Sequence, residues 1–146
     1  MKKINSKNEQ ETFALGVKLG RECRGGEVFA LCGELGAGKT KLAQGLAQGL
    51  GVKGRVNSPT FNILKMYKTA GLKTVKSKVK VFCHIDAYRL KSADDLETLG
   101  VTEFLGSPDT VAAVEWGEKV KSLLPAGTII IKIEVVSGEK RKLFMF

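Results

Sequence analysis

The octapeptide at residues 33–40 has the residue types and spacing of a phosphate-binding loop. It reads GELGAGKT and satisfies the pattern G-x-x-x-x-G-K-[ST] with Gly33, Gly38, Lys39 and Thr40. Glycines allow successive backbone N–H groups to point at phosphate oxygens, and a helix that starts here adds the partial positive charge of its N-terminus. In such a loop, Lys39 would contact the β and γ phosphates, and the Thr40 hydroxyl would ligate Mg²⁺. The alternative is a glycine-rich turn that matches by chance.

Two carboxylates are candidates for the rest of a phosphoryl-transfer site. Such chemistry needs an acidic ligand for the metal ion and a group that positions the attacking water. Asp86 follows the alternating run 79–85, and Glu115 follows the apolar run 111–114. Each would therefore close a strand at the sheet edge where open α/β folds bind ligands. Either residue could hold the metal ion, and each alone could equally be a helix cap.

The segments beside the loop have the patterns of a buried strand and an amphipathic helix. Residues 28–32 form a short continuous apolar run, which is typical of a strand buried on both faces. Leu42, Leu46 and Leu50 recur at helical spacing after the loop, and Gly51 offers a C-terminal stop. A strand that becomes a helix through the glycines is the context that a phosphate-binding loop requires.

The whole pattern predicts a three-layer α/β P-loop NTPase domain with a mixed, mainly parallel central sheet and antiparallel edge strands. We expect a single domain over residues 1–146. The other predicted elements are a first helix from the capping-box pattern Ser6-x-x-Glu9 to Gly20, strands after Ser58-Pro59 and over 79–85, a short capped helix over 92–97, a strand over 110–114, and a terminal hairpin of strands over 128–136 and 142–146.

Composition and charge narrow the class of protein. The 146 residues are 43% apolar and 27% charged, as in ordinary globular proteins. There is neither a membrane-spanning apolar run nor a signal-peptide pattern, so we expect a cytoplasmic protein that does not enter a membrane. Three widely spaced cysteines favour neither a disulfide framework nor a zinc site. The formal net charge of +9 would attract polyanions such as tRNA, although the lysine-rich stretch 65–80 is typical of a solvated hairpin or loop.

Several short motifs, in this order, resemble the TsaE family of bacterial tRNA threonylcarbamoyladenosine biosynthesis ATPases. They are the loop GELGAGKT, the SPTF segment at 58–61, the HIDAYRL segment at 84–90 and the VEW segment at 114–116. The resemblance extends from about Thr12 to the C-terminus. Many unrelated proteins share the loop alone, whereas the combination of all these motifs is specific.

The resemblance implies an accessory ATPase that works with the TsaD and TsaB subunits to form N6-threonylcarbamoyladenosine at position 37 of tRNAs reading ANN codons. It implies ATP and Mg²⁺ as cofactors, with no threonylcarbamoyl transfer by this chain itself. By the same resemblance, Lys39, Asp86 and Glu115 are the catalytic residues, and Thr40 and Glu115 hold Mg²⁺. The implied nucleotide-binding residues are Thr12, Glu34, Leu35, Gly36, Ala37, Gly38, Lys39, Thr40, Lys41 and Arg141.

By the same resemblance, Thr12 would contact the adenine and Arg141 would flank the nucleotide. The SPTF segment would act as a switch-like loop near the γ-phosphate.

Two positions depart from the family pattern. Lys41 stands where a second hydroxyl residue is common, which would rearrange contacts to the α-phosphate. Ile85 replaces the more usual aromatic residue, which a buried strand should tolerate.

Four residues near these motifs each allow more than one role. His84, the one histidine, is interpreted as a packed or hydrogen-bonded ring rather than an active-site base. Trp116 is interpreted as a core or interface residue rather than a stacking platform for the nucleotide. Tyr88 and Arg89 allow several interpretations, because an arginine here could neutralise phosphate charge or anchor a loop or a partner.

Two other functions fit parts of the sequence. A small-molecule kinase also uses a P-loop, but no lid helix with clustered arginines is evident. A nucleotide-switched RNA-binding module would suit the net charge. The lysine-rich stretch, however, has only Tyr67 among its charges, which favours electrostatic attraction without base recognition. We therefore expect ATP binding and slow hydrolysis that are coupled to a partner complex.

Overall fold

The computed structural model describes residues 1–59, 62–70 and 77–146, and within them one seven-stranded sheet carries the fold. The strands are β1 (Lys2–Ser6), β2 (Val28–Cys32), β3 (Leu64–Lys68), β4 (Val81–Asp86), β5 (Thr110–Glu115), β6 (Ile129–Ser137) and β7 (Lys140–Met145). The helices are α1 (Glu9–Glu22), α2 (Lys39–Gly49) and α3 (Ala93–Glu97), with 3₁₀ segments at Val101–Glu103 and Gly117–Leu123.

The strand order is β1-β7-β6-β2-β5-β4-β3, and it confirms the predicted mixed sheet. β2 pairs in parallel with β5 and β6, and β5 pairs in parallel with β4. β3 is antiparallel to β4 at one edge, whereas β7 is antiparallel to both β6 and β1 at the other. Because β2, β4 and β5 run in the same direction, their carboxyl ends meet where β2 continues into the loop at residues 33–38, called here the glycine loop.

Two apolar cores, one on each face of the sheet, produce the predicted three layers. One core includes Phe29 of β2 and Leu42 of α2, and α1 packs against it. The other includes Val28 of β2 together with Leu96 of α3 and Val101 of the first 3₁₀ segment. Phe29 and Val28 belong to different cores because successive side chains of a strand point to opposite faces.

Glycines allow α1 and α2 to lie in direct backbone contact. A Cβ atom at Gly45 would lie 2.2 Å from the carbonyl oxygen of Phe13, and one at Gly16 would lie 2.4 Å from that of Leu42. No side chain fits between the helices at these points. The packing therefore fixes α1 closely against α2, the helix that follows the glycine loop.

The first helix differs from its predicted form. Its N-cap is Asn8, whose side chain accepts a 2.9 Å hydrogen bond from the Glu11 N–H, so the predicted capping box at Ser6 is wrong. The Ser6 hydroxyl is instead hydrogen-bonded to Thr12 and to the Asn8 carbonyl. The helix also continues past Gly20, because this glycine is needed for close contact with α2 rather than as a stop.

The two strands predicted on either side of the lysine-rich stretch are confirmed as β3 and β4, which pair antiparallel and are shorter than predicted. β3 begins only at Leu64, after Ile63 has adopted a positive φ of 63°. Residues 60–61 and 71–76, which fall in the SPTF segment and the lysine-rich stretch, lie outside the described residues. Within the described part of the chain, no helix has the length and apolar character that crossing a membrane requires.

Candidate functional site

The glycine loop joins the end of β2 to the start of α2 at the carboxyl edge of the sheet. Gly36 and Gly38 have φ values of 78° and 106°, which place them in the left-handed region where other residues are strained. Gly38 is the N-cap of α2, and no side chain makes a capping hydrogen bond there. The loop therefore directs the first turn of a helix, with its partial positive charge, at the space above the sheet.

The Lys39 ammonium group is held at the mouth of the glycine loop. Its Nζ donates hydrogen bonds to the carbonyl oxygens of Gly33 at 2.6 Å and Glu34 at 2.7 Å, and lies 4.0 Å from the centre of the Trp116 ring. Burial lowers the pKa of Lys39 below its ordinary value, and the nearby Glu115 carboxylate opposes that shift. A cation in a partly dry site attracts an anion more strongly than it would in water.

A chain of hydrogen bonds connects α2, β5 and β4 beside this lysine. The Thr40 hydroxyl donates to Oε1 of Glu115 at 2.6 Å, and Oε2 of Glu115 lies 2.7 Å from Nε2 of His84. Glu115 and His84 are both buried. The expectation that His84 is a packed, hydrogen-bonded ring is confirmed, and its partner is the carboxylate predicted to hold a metal ion.

Asp86 stands next to Glu115 but has separate partners. The two residues are directly paired in the register of β4 and β5. Asp86 accepts hydrogen bonds from the Ser58 hydroxyl at 2.9 Å and from the Tyr88 backbone N–H at 3.0 Å. Ser58 begins the SPTF segment, so at least this residue of the predicted switch-like loop contacts the site.

A cavity of about 560 Å³ gathers most of the residues predicted for the site. Its lining residues are Glu9, Leu35, Gly36, Gly38, Lys39, Thr40, Lys41, Gln44, Ser58, Asp86, Tyr88, Arg89, Glu115 and Trp116. Sequence reasoning missed Glu9 and Gln44. Gln44 could have been found from its position on α2, four residues after Thr40 and hence on the same face of the helix.

Trp116 and Tyr88 form an aromatic wall of this cavity. Their ring centres lie 5.1 Å apart, and Trp116 has a positive φ of 59°, which is unusual for a bulky residue. This backbone turn directly after Glu115 brings the indole ring over Lys39. Trp116 is half-buried against one core, as predicted, but it also borders the site.

The predicted residues that do not line the cavity are Thr12, Glu34, Ala37 and Arg141. Thr12 and Arg141 lie against its framework. The Thr12 hydroxyl is hydrogen-bonded to Ser6, while its methyl group lies 3.7 Å from the position of a Cβ at Gly38. Arg141 donates from Nε to the Ala37 carbonyl at 2.9 Å and from a terminal nitrogen to the Gly36 carbonyl at 3.2 Å. Arg141 therefore fastens β7 to the backbone of the glycine loop.

The oxygen atoms at this edge of the sheet suit a hard cation such as Mg²⁺. Oxygens of phosphate and water would complete its coordination shell. Thr40 offers a hydroxyl, and Glu115 and Asp86 offer carboxylates, all of which are ligand types that Mg²⁺ prefers. Among the described residues, no cluster of three or more acidic, histidine or cysteine side chains could enclose a metal by itself. A site of this kind fits a cation shared with phosphate and water, which is the usual arrangement for Mg²⁺.

Comparison with known proteins points to one family. A sequence model described as "Threonylcarbamoyl adenosine biosynthesis protein TsaE" matches residues 6–143. Two similar proteins are both named tRNA threonylcarbamoyladenosine biosynthesis protein TsaE. The one from Haemophilus influenzae is 38% identical over 104 residues, which are 71% of this chain and 60% of that protein. The one from Treponema pallidum is 36% identical over 138 residues, which are 94% of this chain and 95% of that protein.

A solved structure has a similar fold. The crystal structure of Bacillus subtilis YdiB matches with a TM-score of 0.77 and 30% sequence identity. The match covers 99% of this chain and 84% of that chain. The fold of this chain is therefore similar to that of an experimentally determined protein structure.

Proposed function

Because the chain belongs to the TsaE family, we propose that it is a P-loop ATPase supporting formation of N6-threonylcarbamoyladenosine at position 37 of tRNAs that read ANN codons. It binds ATP with Mg²⁺, hydrolyses it slowly when alone, and leaves threonylcarbamoyl transfer to another subunit. It acts in the cytoplasm. The family match and the names of the relatives support the pathway, and the geometry of the site supports the nucleotide chemistry.

One observation carries the nucleotide proposal: Lys39, Thr40 and Glu115 meet at the end of β2. The Lys39 ammonium and the Thr40–Glu115 hydrogen bond both line the cavity beside the glycine loop. The closeness of these groups supports the proposal that the ammonium binds phosphate oxygens while the hydroxyl and the carboxylate hold a metal ion. A glycine-rich turn without a function would not be expected to bring these three groups together at one edge of the sheet.

Each residue has a distinct role in this proposal. Backbone N–H groups of residues 34–41 and the Lys39 ammonium bind phosphate oxygens, while Thr40 and Glu115 hold Mg²⁺. When bound, Mg²⁺ neutralises charge that develops on the phosphate oxygens. Asp86 orients the attacking water through a carboxylate that Ser58 already holds in place.

Thr12 and Arg141 complete the nucleotide site from its margins. Thr12 borders the start of α2 at Gly38 and is proposed to lie near the adenine. Arg141 holds the carbonyl groups of Gly36 and Ala37, which fixes the orientation of these peptides in the glycine loop. Lys41 extends the positive charge along the first turn of α2, although Glu9 lies 3.8 Å from its ammonium group.

The proposed partners are the TsaD and TsaB subunits, and a basic surface of the chain provides contact with tRNA. ATP then acts as a ligand that changes the affinity of the chain for its partners. Such coupling requires the nucleotide to interact differently with the free and bound states. The Trp116 and Tyr88 wall, which is partly exposed beside Lys39, is a surface that nucleotide could alter directly.

Equilibrium titration against the TsaD–TsaB pair tests this proposal. We expect tighter binding with Mg-ATP than without nucleotide, together with slow phosphate release by the chain alone and no transfer to common metabolites. Lys39→Met should lose the nucleotide dependence. Lys18→Met, on an exposed position of α1, should retain it. Partner binding that is unaffected by nucleotide would contradict the proposal. Phosphorylation of a metabolite would also contradict it and would favour a kinase.

A further inference from the structure

We propose that His84 is a positioning residue that fixes the orientation of the Glu115 carboxylate. This inference rests on the proposed function of Glu115 as a Mg²⁺ ligand. His84 does not border the cavity, so it acts through Glu115 rather than on the nucleotide.

The strands place His84 on the inner side of Glu115. His84 lies on β4 opposite Ala113 of β5, and Glu115 follows two residues later on the same face. Both side chains are buried, and the His84 ring is completely inaccessible. The 2.7 Å contact between Nε2 and Oε2 therefore has no competition from bulk water.

The two oxygens of Glu115 have different partners. Oε1 accepts from Thr40, which lines the cavity, whereas Oε2 is bonded to His84, which does not line it. The terminal torsion of a glutamate has broad preferences, so the side chain alone would not fix this plane. A donor on each oxygen does fix it, and it keeps Oε1 directed at Thr40.

The other nitrogen of the ring shows that packing alone does not account for an imidazole here. Among the described residues, Nδ1 of His84 is buried and has no hydrogen-bond partner. A buried polar atom without a partner is unfavourable, and a phenyl ring beside Phe82 would avoid it. The contact made by Nε2 is the one that benefits from a histidine at this position.

The direction of the hydrogen bond follows from the chemistry of the partners. A carboxylate that holds Mg²⁺ only accepts hydrogen bonds, so in this role Nε2 carries the proton and donates to Glu115. The neighbouring Asp86 takes its hydrogen bonds from Ser58 and Tyr88 instead. His84 therefore contacts only one of the two carboxylates. Its replacement should change the dependence on Mg²⁺ specifically, whereas a general disturbance of the site would also change nucleotide binding without Mg²⁺.

Nucleotide binding with and without Mg²⁺ tests this role, and the fluorescence of Trp116, the one tryptophan, reports it. We expect His84→Phe to raise the Mg²⁺ concentration for half-maximal effect by about 10–100-fold, as for other residues that orient metal ligands. Nucleotide binding without Mg²⁺ should stay as in the wild type. His84→Gln, which can still donate to Glu115, should restore most of the Mg²⁺ affinity.

Two further measurements keep the inference separate from the proposed function. If Glu115→Gln has wild-type Mg²⁺ dependence, the proposed role of Glu115 fails and this inference fails with it. If Glu115→Gln is shifted but His84→Phe is not, only the inference is overturned. Should His84→Phe not fold, His84→Asn takes its place, because its amide is too short to reach Glu115.

Nuclear magnetic resonance gives a readout that does not need nucleotide or metal. With one histidine in the chain, ¹⁵N-histidine labelling yields one imidazole spectrum. We expect the proton on Nε2 in the wild type, with slow exchange that becomes fast in Glu115→Ala. A proton found on Nδ1 instead would overturn the inference.

Discussion

The Thr40 hydroxyl donates a 2.6 Å hydrogen bond to Glu115, although 75 residues separate the two in the chain. The contact forms because β5 lies beside β2, so that the end of β5 faces the start of α2. Asp86, one strand further away, is bonded to Ser58 instead. This difference supports the proposed roles, metal binding for Glu115 and orientation of the water for Asp86, and the two roles predict different phenotypes.

Glu115→Ala should raise the Mg²⁺ concentration needed for half-maximal ATP turnover by at least about tenfold, because it removes a charged metal ligand. Asp86→Asn should leave that Mg²⁺ concentration near the wild-type value and lower the turnover rate by about 100-fold or more. Phosphate release measured across a Mg²⁺ titration distinguishes the two. If the phenotypes are exchanged, Asp86 is the metal ligand.

Lys39→Met should reduce ATP turnover by at least about 100-fold without lowering the thermal unfolding temperature. The ammonium group serves phosphate binding in the proposal, and burial already disfavours its charged form, as the lowered pKa indicates. Phosphate release and a thermal melt of the same preparation are the measurements, with Lys18→Met as the control at an exposed position of α1. Near-normal turnover in the folded Lys39 variant would contradict the proposal that residues 33–40 form a P-loop.

The predictable part of this molecule is the part that local pattern determines. Residues 28–32 and 110–114 form buried strands because they are continuous apolar runs, and the glycine loop follows from its motif. β1 was missed because its sequence KKINS is mostly exposed at a sheet edge and carries no apolar run. The N-cap at Asn8 was missed because Ser6 offered a competing pattern nearby.

The sequence could not show which distant side chains touch. The sequence pattern placed Glu115 and Asp86 at strand ends as equal candidates, and only the strand order decides which lies beside Thr40. The same holds for His84, whose bond to Glu115 depends on the register of β4 and β5. These contacts are long-range, and hydrophobic periodicity contains no information about them.

Gly45→Ala should destabilise the protein by more than about 2 kcal/mol, although alanine is favoured over glycine in an isolated helix by about 1 kcal/mol. The added Cβ would lie 2.2 Å from the Phe13 carbonyl and 2.9 Å from the Gly16 Cα, so the two helices must separate. Gly127→Ala is the control, since no atom lies within 4 Å of its Cβ position. Urea unfolding of both variants checks this, and equal stabilities would show that α1 can shift freely.

The stability of the protein should fall above pH 9 partly because of Cys83. Burial raises the pKa of this thiol from 9.0 to about 12, so between these values the unfolded chain loses the proton and the folded chain keeps it. The unfolded state then binds fewer protons, which lowers the free energy of unfolding as pH rises, by up to about 1.4 kcal/mol per pH unit. Urea unfolding at pH 7, 8 and 10 gives the free energy of unfolding of the wild type and of Cys83→Ala. The amount by which the wild-type value exceeds the variant's should be the same at pH 7 and 8 and smaller at pH 10. A constant difference would contradict the assignment.

Binding of this chain alone to tRNA should be electrostatic, weakening steeply with salt and showing little sequence preference. The net charge is +9, and the edge strand β3 carries exposed Lys65 and Lys68. Tyr67, between them, is half-buried, with the Lys65 ammonium 5.3 Å from its ring centre. Lysines neutralise phosphates without reading bases, so the binding constant should fall linearly on logarithmic axes of affinity against salt.

The opposite edges of the sheet supply a matched pair of variants for this last measurement. β3 and β1 are the two edge strands, so Lys65 and Lys68 changed to Gln can be compared with Lys2 and Lys3 changed to Gln, at equal reduction of charge. If the β3 edge binds tRNA, the first pair should lower the salt slope by about 0.7–0.9 for each phosphate that is no longer neutralised, and the second pair should leave it nearly unchanged. Equal effects of the two pairs would mean that tRNA responds to the net charge of the whole protein and does not bind preferentially at the β3 edge. Salt-resistant binding that distinguishes one tRNA from unrelated RNA would instead require base recognition, and would move the function toward the RNA-binding module.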